Sequence, residues 1–296
     1  METYITKNGQ NIWDVCIKLY GSVEGVFDLL ISNQGLSLYD GVKGGMKLNY
    51  HPSYIAEQSV VDEISDNGYP CANGERSVYH KTVSYPLMFL CNMQVERAVS
   101  GFSASSVKGW QTLQIDWGDN SPVEEYTFPA ENVIKEFEHY FDNKVDDIRQ
   151  MKVYGNAEFM MLDITSLGGM IRPVKPIVVQ ELVDDSNGHG LDGLFLMEET
   201  YSVSLQKCTI SDLKPLIPMS LQTLNLTGVK YVPETVLDEY LVGLLNSGSR
   251  RGCTVYLTSQ PTKIGMDVIK QIISEPEWNT AGKWLFNING TIYTAT

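Results

Sequence analysis

Leu221-Gln222-Thr223-Leu224-Asn225-Leu226 sets its leucines in the same places as Leu191-Asp192-Gly193-Leu194-Phe195-Leu196, thirty residues earlier. Val255-Tyr256-Leu257 and Phe286-Asn287-Ile288 continue the strand positions, so that 194, 224, 255 and 286 lie 30, 31 and 31 residues apart. A period of this size predicts stacked supersecondary units, each burying an apolar face against its neighbours. Two segments with helical spacing fill the gaps. Val236, Leu237, Tyr240, Leu241, Leu244 and Leu245 follow Pro233 and end at Gly248. Ile264, Val268, Ile269, Ile272 and Ile273 stop before Pro276. Tyr201–Ile210 reads as an additional strand that the 30-residue register does not place.

Upstream, the apolar period shortens to that of strands. Leu113-Gln114-Ile115-Asp116-Trp117 alternates apolar with polar, and Gly118-Asp119-Asn120-Ser121-Pro122 closes it as a turn. Phe137-Glu138-His139-Tyr140-Phe141 and Ile148–Tyr154 read as further strands, the second ended by Gly155-Asn156. Before them, residues 53–80 hold turn signals in a polar stretch (Asp66-Asn67-Gly68-Tyr69-Pro70, Asn73-Gly74) and read as a linker or a short hairpin.

The N-terminal fifty residues read as strand, helix, helix, strand. Thr3–Thr6 is β-prone. Ile12, Val15, Cys16, Leu19 and Tyr20 line one helical face up to Gly21. Val23, Val26, Phe27, Leu30 and Ile31 repeat that spacing and predict a second amphipathic helix, ended by Asn33–Gly35. Met46–Tyr50 alternates as a strand stopped by Pro52.

Length and composition agree with this division. The chain has 296 residues, which suits two or three domains, and its 43% of apolar residues can supply each with a core. The formal net charge of -14 is spread along the chain, and Arg250-Arg251 is the only adjacent basic pair. Such a field repels phosphate backbones and anionic lipid, so no nucleic-acid partner is expected. No apolar run is long enough to span a bilayer, and Met1-Glu2-Thr3-Tyr4 does not begin a signal peptide, so neither membrane insertion nor export by that route is expected. The five cysteines (Cys16, Cys71, Cys91, Cys208, Cys253) are odd in number and widely spaced, without a C-x-x-C pair. They predict neither a disulfide framework nor a zinc site, and Cys16 is expected as a buried thiol.

Three segments resemble known families. Lys7-Asn8-Gly9-Gln10-Asn11-Ile12-Trp13-Asp14-Val15, Leu19-Tyr20-Gly21-Ser22, Asn33 and Gly44-Gly45-Met46-Lys47-Leu48 make residues 2–52 resemble a LysM domain. That likeness implies a βααβ module that either docks onto a neighbouring protein or holds N-acetylglucosamine polymers in its loops at Lys7–Gln10 and Ser32–Gly41. Ile115-Asp116-Trp117-Gly118-Asp119 with Phe137-Glu138-His139-Tyr140 makes residues 82–157 similar to a PKD-type, immunoglobulin-like β-sandwich; Asn120 stands where that family has a second glycine. The leucine spacing of the last third resembles an irregular, lengthened leucine-rich repeat. The expected organisation is therefore multi-domain α+β: a LysM-like module over residues 1–55, a linker over 56–81, a β-sandwich over 82–160 and a leucine-rich-repeat-like β/α solenoid over 161–296.

No chemistry-bearing motif stands out. There is no G-x-S-x-G, no P-loop and no dinucleotide fingerprint, and Gly41–Gly45 precedes a strand where it presents no helix N-terminus to phosphate. His139 is expected to pack the sandwich, and Asp116 and Asp119 to serve as turn acids bonded to backbone N–H groups. Asp184-Asp185-Ser186-Asn187-Gly188-His189-Gly190-Leu191-Asp192 is rich in oxygen ligands yet lacks the spacing of a calcium loop, and reads as a solvated turn. The expectation is a protein without catalytic residues, cofactor or metal. The combined resemblances imply a structural component of a bacteriophage tail or baseplate, assembled with other virion proteins in the host cytoplasm. The alternative is a cell-envelope protein that binds peptidoglycan or another glycan.

Overall fold

The computed structural model describes residues 1–7, 9–38, 42–69, 81–93, 99–119, 121–141, 149–185, 196–205, 213, 219–228 and 232–295. The fold is mixed α+β, mostly sheet. β1 (Glu2–Ile5) pairs antiparallel with β2 (Lys47–Tyr50), and between them lie α1 (Ile12–Tyr20) and α2 (Val26–Ser32), the latter entered through a 3-10 turn at Val23–Gly25. Asn11 opens α1: its side chain accepts the N–H groups of Trp13 and Asp14, while the Asp14 carboxylate accepts the N–H of Asn11 at 2.9 Å. Gly21 closes α1 in the left-handed region at φ 72°, and a Cβ there would meet the Glu57 carbonyl oxygen at 2.2 Å. Ile12, Val15, Cys16, Leu19, Tyr20, Val26, Leu29 and Leu48 form this unit's core.

Two expectations fail here. In α2 the buried residues are Val26 and Leu29, whereas Phe27 is 70% and Ile31 81% exposed. The apolar residues cover more of the circumference than one core contact can bury, and the strip Val23, Phe27, Ile31 is the part left out. The stretch read as a linker or hairpin contains a helix, α3 (Gln58–Asp66). Its start is tied to α1 by the N–H groups of Ala56 and Glu57, which both donate to the Tyr20 carbonyl oxygen. α3 has no side-chain cap at Glu57, and of its apolar residues Val60, Val61 and Ile64, which share one side of the helix, only Ile64 is buried.

Two sheets build the rest. β3 (Leu87–Met93), β4 (Val99–Ser106), β5 (Thr112–Asp116), β6 (Glu124–Thr127), β7 (Lys135–Tyr140), β8 (Arg149–Gly155), β9 (Phe159–Asp163) and β10 (Gly169–Pro173) follow one another in the chain. Next come β11 (Ile177–Asp184), β12 (Met197–Glu198), β13 (Ser202–Leu205) and β14 (Thr223–Leu226). The chain ends with α4 (Glu234–Asn246), β15 (Thr254–Leu257), α5 (Lys263–Ser274), α6 (Pro276–Asn279), β16 (Leu285–Ile288) and β17 (Thr291–Thr294). An antiparallel five-stranded sheet has the order β10-β3-β8-β5-β6; a longer one runs β17-β16-β15-β14-β13-β11-β9-β4-β7, with β12 beside β11.

The long sheet crosses residue 160 without a break, because β9 pairs antiparallel with β4 and parallel with β11. Its core-side residues form one row: Leu162, Leu182, Val203, Leu224, Val255 and Phe286 are opposite one another in turn, and none is more than 1% exposed. Burying each such side chain is worth roughly 1.5–3 kcal/mol. The five-stranded sheet covers one end of this row, with Phe89 6.4 Å from both Phe102 and Phe159 between ring centroids. Leu237, Tyr240, Leu241 and Leu244 of α4 and Val268, Ile269 and Ile272 of α5 belong to the same continuous core.

The row corrects the leucine register. Opposite Leu224 stands Val203, in the segment that the 30-residue period left without a place. From Leu162 onward the steps are 20, 21, 21, 31 and 31 residues, and the two long ones are those that contain α4 and α5. Leu191 and Leu194 lie outside the described residues.

Candidate functional site

The side of the long sheet turned away from α4 and α5 carries a row of its own. Glu136, Ser103, Asp163, Val183, Ser204, Asn225, Tyr256 and Asn287 are opposite one another across β7, β4, β9, β11, β13, β14, β15 and β16. Strand residues alternate between faces, so these side chains share the face opposite the Leu–Val–Phe row. Ser204, Asn225, Tyr256 and Asn287 are half-buried by their neighbours on the pleat rather than sealed in a core. A parallel row, Ser202, Thr223, Thr254 and Leu285, lies beside them. The strand ends are set by Asx turns: Asp163 Oδ1 accepts the N–H of Thr165 at 2.9 Å, and Asn225 Oδ1 that of Thr227 at 3.0 Å. The face therefore offers hydroxyl and amide groups that can donate and accept hydrogen bonds.

At the β7 end this face sinks into a trough of about 490 Å³. Its floor is β4, which presents Gly101 and Ser103; Glu136 and Glu138 of β7 form one wall, and Asp163 and Thr165 the other. Gly101 cannot be replaced cheaply, since a Cβ there would lie 2.3 Å from the Phe137 carbonyl oxygen.

The residues singled out for the sandwich-like region come together on the opposite side. His139 stacks on Trp117 with centroids 5.1 Å apart, and its Nε2 lies 2.7 Å from Asp119 Oδ2. Asp116 Oδ1 accepts the N–H of Gly118 at 2.9 Å and receives Lys81 Nζ at 2.5 Å; Asp119 Oδ1 accepts the N–H of Ser121 at 2.9 Å. Burial by itself would raise the Asp119 pKa. The hydrogen bonds from His139 and Ser121, with the imidazolium charge, outweigh it and hold the carboxyl well below its usual range. These groups act as braces: Asp119 ties the turn after β5 to His139 of β7, and Asp116 ties the end of β5 to Lys81, ahead of β3. Asn120, and His189 with residues 186–192 of its loop, lie outside the described residues.

A serine, a histidine and an aspartate also meet in the N-terminal unit. His51 Nδ1 lies 2.8 Å from Asp28 Oδ1 and 3.4 Å from Ser32 Oγ, and Tyr20 donates its hydroxyl to Asp28 Oδ2 at 2.6 Å. A proton relay would place the hydroxyl on Nε2 and the carboxylate on Nδ1. Here one nitrogen serves both, so the cluster knits α2 to the end of β2. Sequence reasoning missed it, because Asp28, Ser32 and His51 are far apart in the chain and match no motif. Of the two loops that the LysM likeness implies for glycan, the first is braced internally: Gln10 Oε1 accepts the Lys7 N–H at 2.7 Å and the Tyr4 hydroxyl at 3.0 Å. Asn8 and residues 39–41 lie outside the described residues. Cys16, Cys91 and Cys253 are buried free thiols, each pushed up to about 12 chiefly by burial.

Among the described residues no group of three His, Cys, Asp or Glu side chains is placed to hold a metal ion, and no helix is long and apolar enough to cross a membrane. Compared with family models, curated proteins and solved structures, the chain matches none.

Proposed function

We propose that the chain is a structural, non-enzymatic assembly protein, a component of a bacteriophage tail or baseplate that docks through its N-terminal unit. The observation that carries this reading is the strip Val23, Phe27, Ile31. These side chains are 47, 70 and 81% exposed and fall four residues apart on one side of the 3-10 turn and α2, in a unit whose core is complete without them. Exposed apolar side chains clustered on a short element mark a contact with another macromolecule. The βααβ order of residues 2–50 supports reading that unit as LysM-like, and the steps of 20 and 21 residues along the long sheet fall in the range of leucine-rich repeats. The Trp117–His139 stack supports a PKD-type reading of the middle region. Repeats of this kind present extended faces to partner proteins.

Fractionation of a producing culture tests the proposal. The chain is expected to co-sediment with assembled particles and to be missing from particles made with Phe27→Ser/Ile31→Ser. Recovery only with the cell envelope would overturn it.

A second reading, a peptidoglycan-binding envelope protein, draws on the same LysM-like order of elements. Saturable binding of the chain to purified peptidoglycan, retained in the Phe27→Ser/Ile31→Ser variant, would favour it over the first.

A further inference from the structure

The trough above β4 points to the chemistry of what the sheet face grips. Its volume of about 490 Å³ exceeds that of one side chain, and it exists because β4 offers only a glycine and a serine between taller neighbours. Its walls are acidic on both sides: Glu136 and Glu138 across from Asp163, with no lysine, arginine or histidine among the described lining residues. Glu136 and Asp163 are two strands apart, both opposite Ser103, which separates their backbones by roughly 10 Å. A hard metal ion needs oxygens at about 2.0–2.6 Å on all sides, which walls so far apart do not supply. An ammonium or guanidinium group on a long stem fits better, because it can lie over the small residues of β4 and meet a carboxylate on either wall. Ser103 and Thr165 add hydroxyls for the remaining N–H groups. One side chain does not fill the space. β7 is the outermost described strand of the sheet; Gly45 of the N-terminal unit packs against Tyr140 at its end, so the stretch left free for a chain lying across it is the one that carries Glu136 and Glu138.

We infer that this trough receives lysine or arginine side chains from an extended basic segment of a neighbouring protein, laid on the open face at the β7 end of the long sheet. The inference rests on the assembly reading and adds a second contact, separate from the α2 strip. Charge decides the occupant: an acidic wall on each side of an uncharged floor attracts a cationic segment and repels an anionic one.

The test uses the full chain and two fluorescent synthetic octapeptides, one alternating Lys with Val and the other Glu with Val. The lysine peptide is expected to bind, with affinity falling as salt rises from 50 to about 300 mM. Glu136→Gln/Glu138→Gln, which alters two exposed side chains, is expected to weaken it at least about tenfold. Glu277→Gln on α6, outside the trough, is expected to leave it unchanged. Equal binding of both peptides, or equal binding by the trough variant and the Glu277 variant, would overturn the inference. Binding of spermidine without binding of the lysine peptide would overturn the protein-partner assignment. Phe27→Ser/Ile31→Ser is expected to bind the lysine peptide normally, so the trough and the α2 contact fail separately.

Discussion

The carboxylate of Asp238, on α4, accepts the backbone N–H of Thr262, the residue that opens α5, at 3.0 Å. The same oxygen lies 3.2 Å from the N–H of Gly265, and the other oxygen takes the Thr262 hydroxyl at 2.5 Å. A helix start leaves N–H groups without partners and carries a partial positive charge; here the neighbouring helix supplies both the acceptor and the negative charge. Asp238→Ala is expected to cost about 2 kcal/mol in urea unfolding, and Asp238→Asn less, since its amide oxygen still accepts.

Gly265 tests the same contact from the other side. Replacing a helical glycine by alanine ordinarily gains about 1 kcal/mol. At 265 the new Cβ would lie 2.5 Å from Asp238 Oδ1 and 2.6 Å from Pro261 Cβ, so Gly265→Ala is expected to lower the melting temperature. A rise in melting temperature would show that the helices do not approach as described.

Acid should weaken the Asp119 brace. The folded pKa of Asp119 lies below its ordinary 3.8, so the unfolded chain takes up the proton first. The stabilisation is complete above the unfolded value and is lost as pH falls through 3.8 toward the folded value. Asp119→Asn is expected to cost roughly 2–3 kcal/mol at pH 7 and to flatten the fall in stability between pH ~5 and ~2, measured by denaturation at stepped pH.

The strand row predicts opposite outcomes at adjacent positions. Val203 is 1% exposed and faces the core, so Val203→Asp places an unpaired charge there and is expected to abolish cooperative folding. Ser204 lies on the open face, and Ser204→Asp is expected to change stability by less than about 1 kcal/mol. Circular dichroism and thermal melts of the two variants separate this register from one that points residue 204 inward.

On α2, stability and docking should part company. Leu29 is fully buried, and Leu29→Ala is expected to cost about 2–5 kcal/mol. Phe27→Ser/Ile31→Ser, on the exposed strip, is expected to stay within about 1 kcal/mol of the parent in chemical denaturation while losing incorporation into particles.

Much of the local structure was legible in the sequence. α1, α4 and α5 each carry an apolar face at helical spacing with a stop signal, and the burial of Val15, Leu241 and Ile269 follows that spacing. β5 follows from the alternation at Leu113–Trp117, and Cys16 lies buried where the α1 face places it. The open face was not legible, because Ser103, Asp163 and Asn225 come from strands whose order no local pattern states. α3 sets Val60, Val61 and Ile64 on one side, but the turn signals at Asp66–Pro70 dominated the reading of that stretch; the Asp28–His51 contact was hidden by the length of chain between its members.

What the sequence alone determined is period and punctuation: which segments bury one face, and where glycine, proline or asparagine ends them. Only the tertiary structure decided which strand lies beside which, whether Val203 or Leu194 completes the row, and which side of α2 remains outside. The reason is that side-chain periodicity comes from the geometry of a single element, whereas strand order and the choice of buried face come from hydrogen bonds and packing with partners far away in the chain. Two segments with equally good patterns compete for one place in a sheet, and the packing of the whole core selects between them.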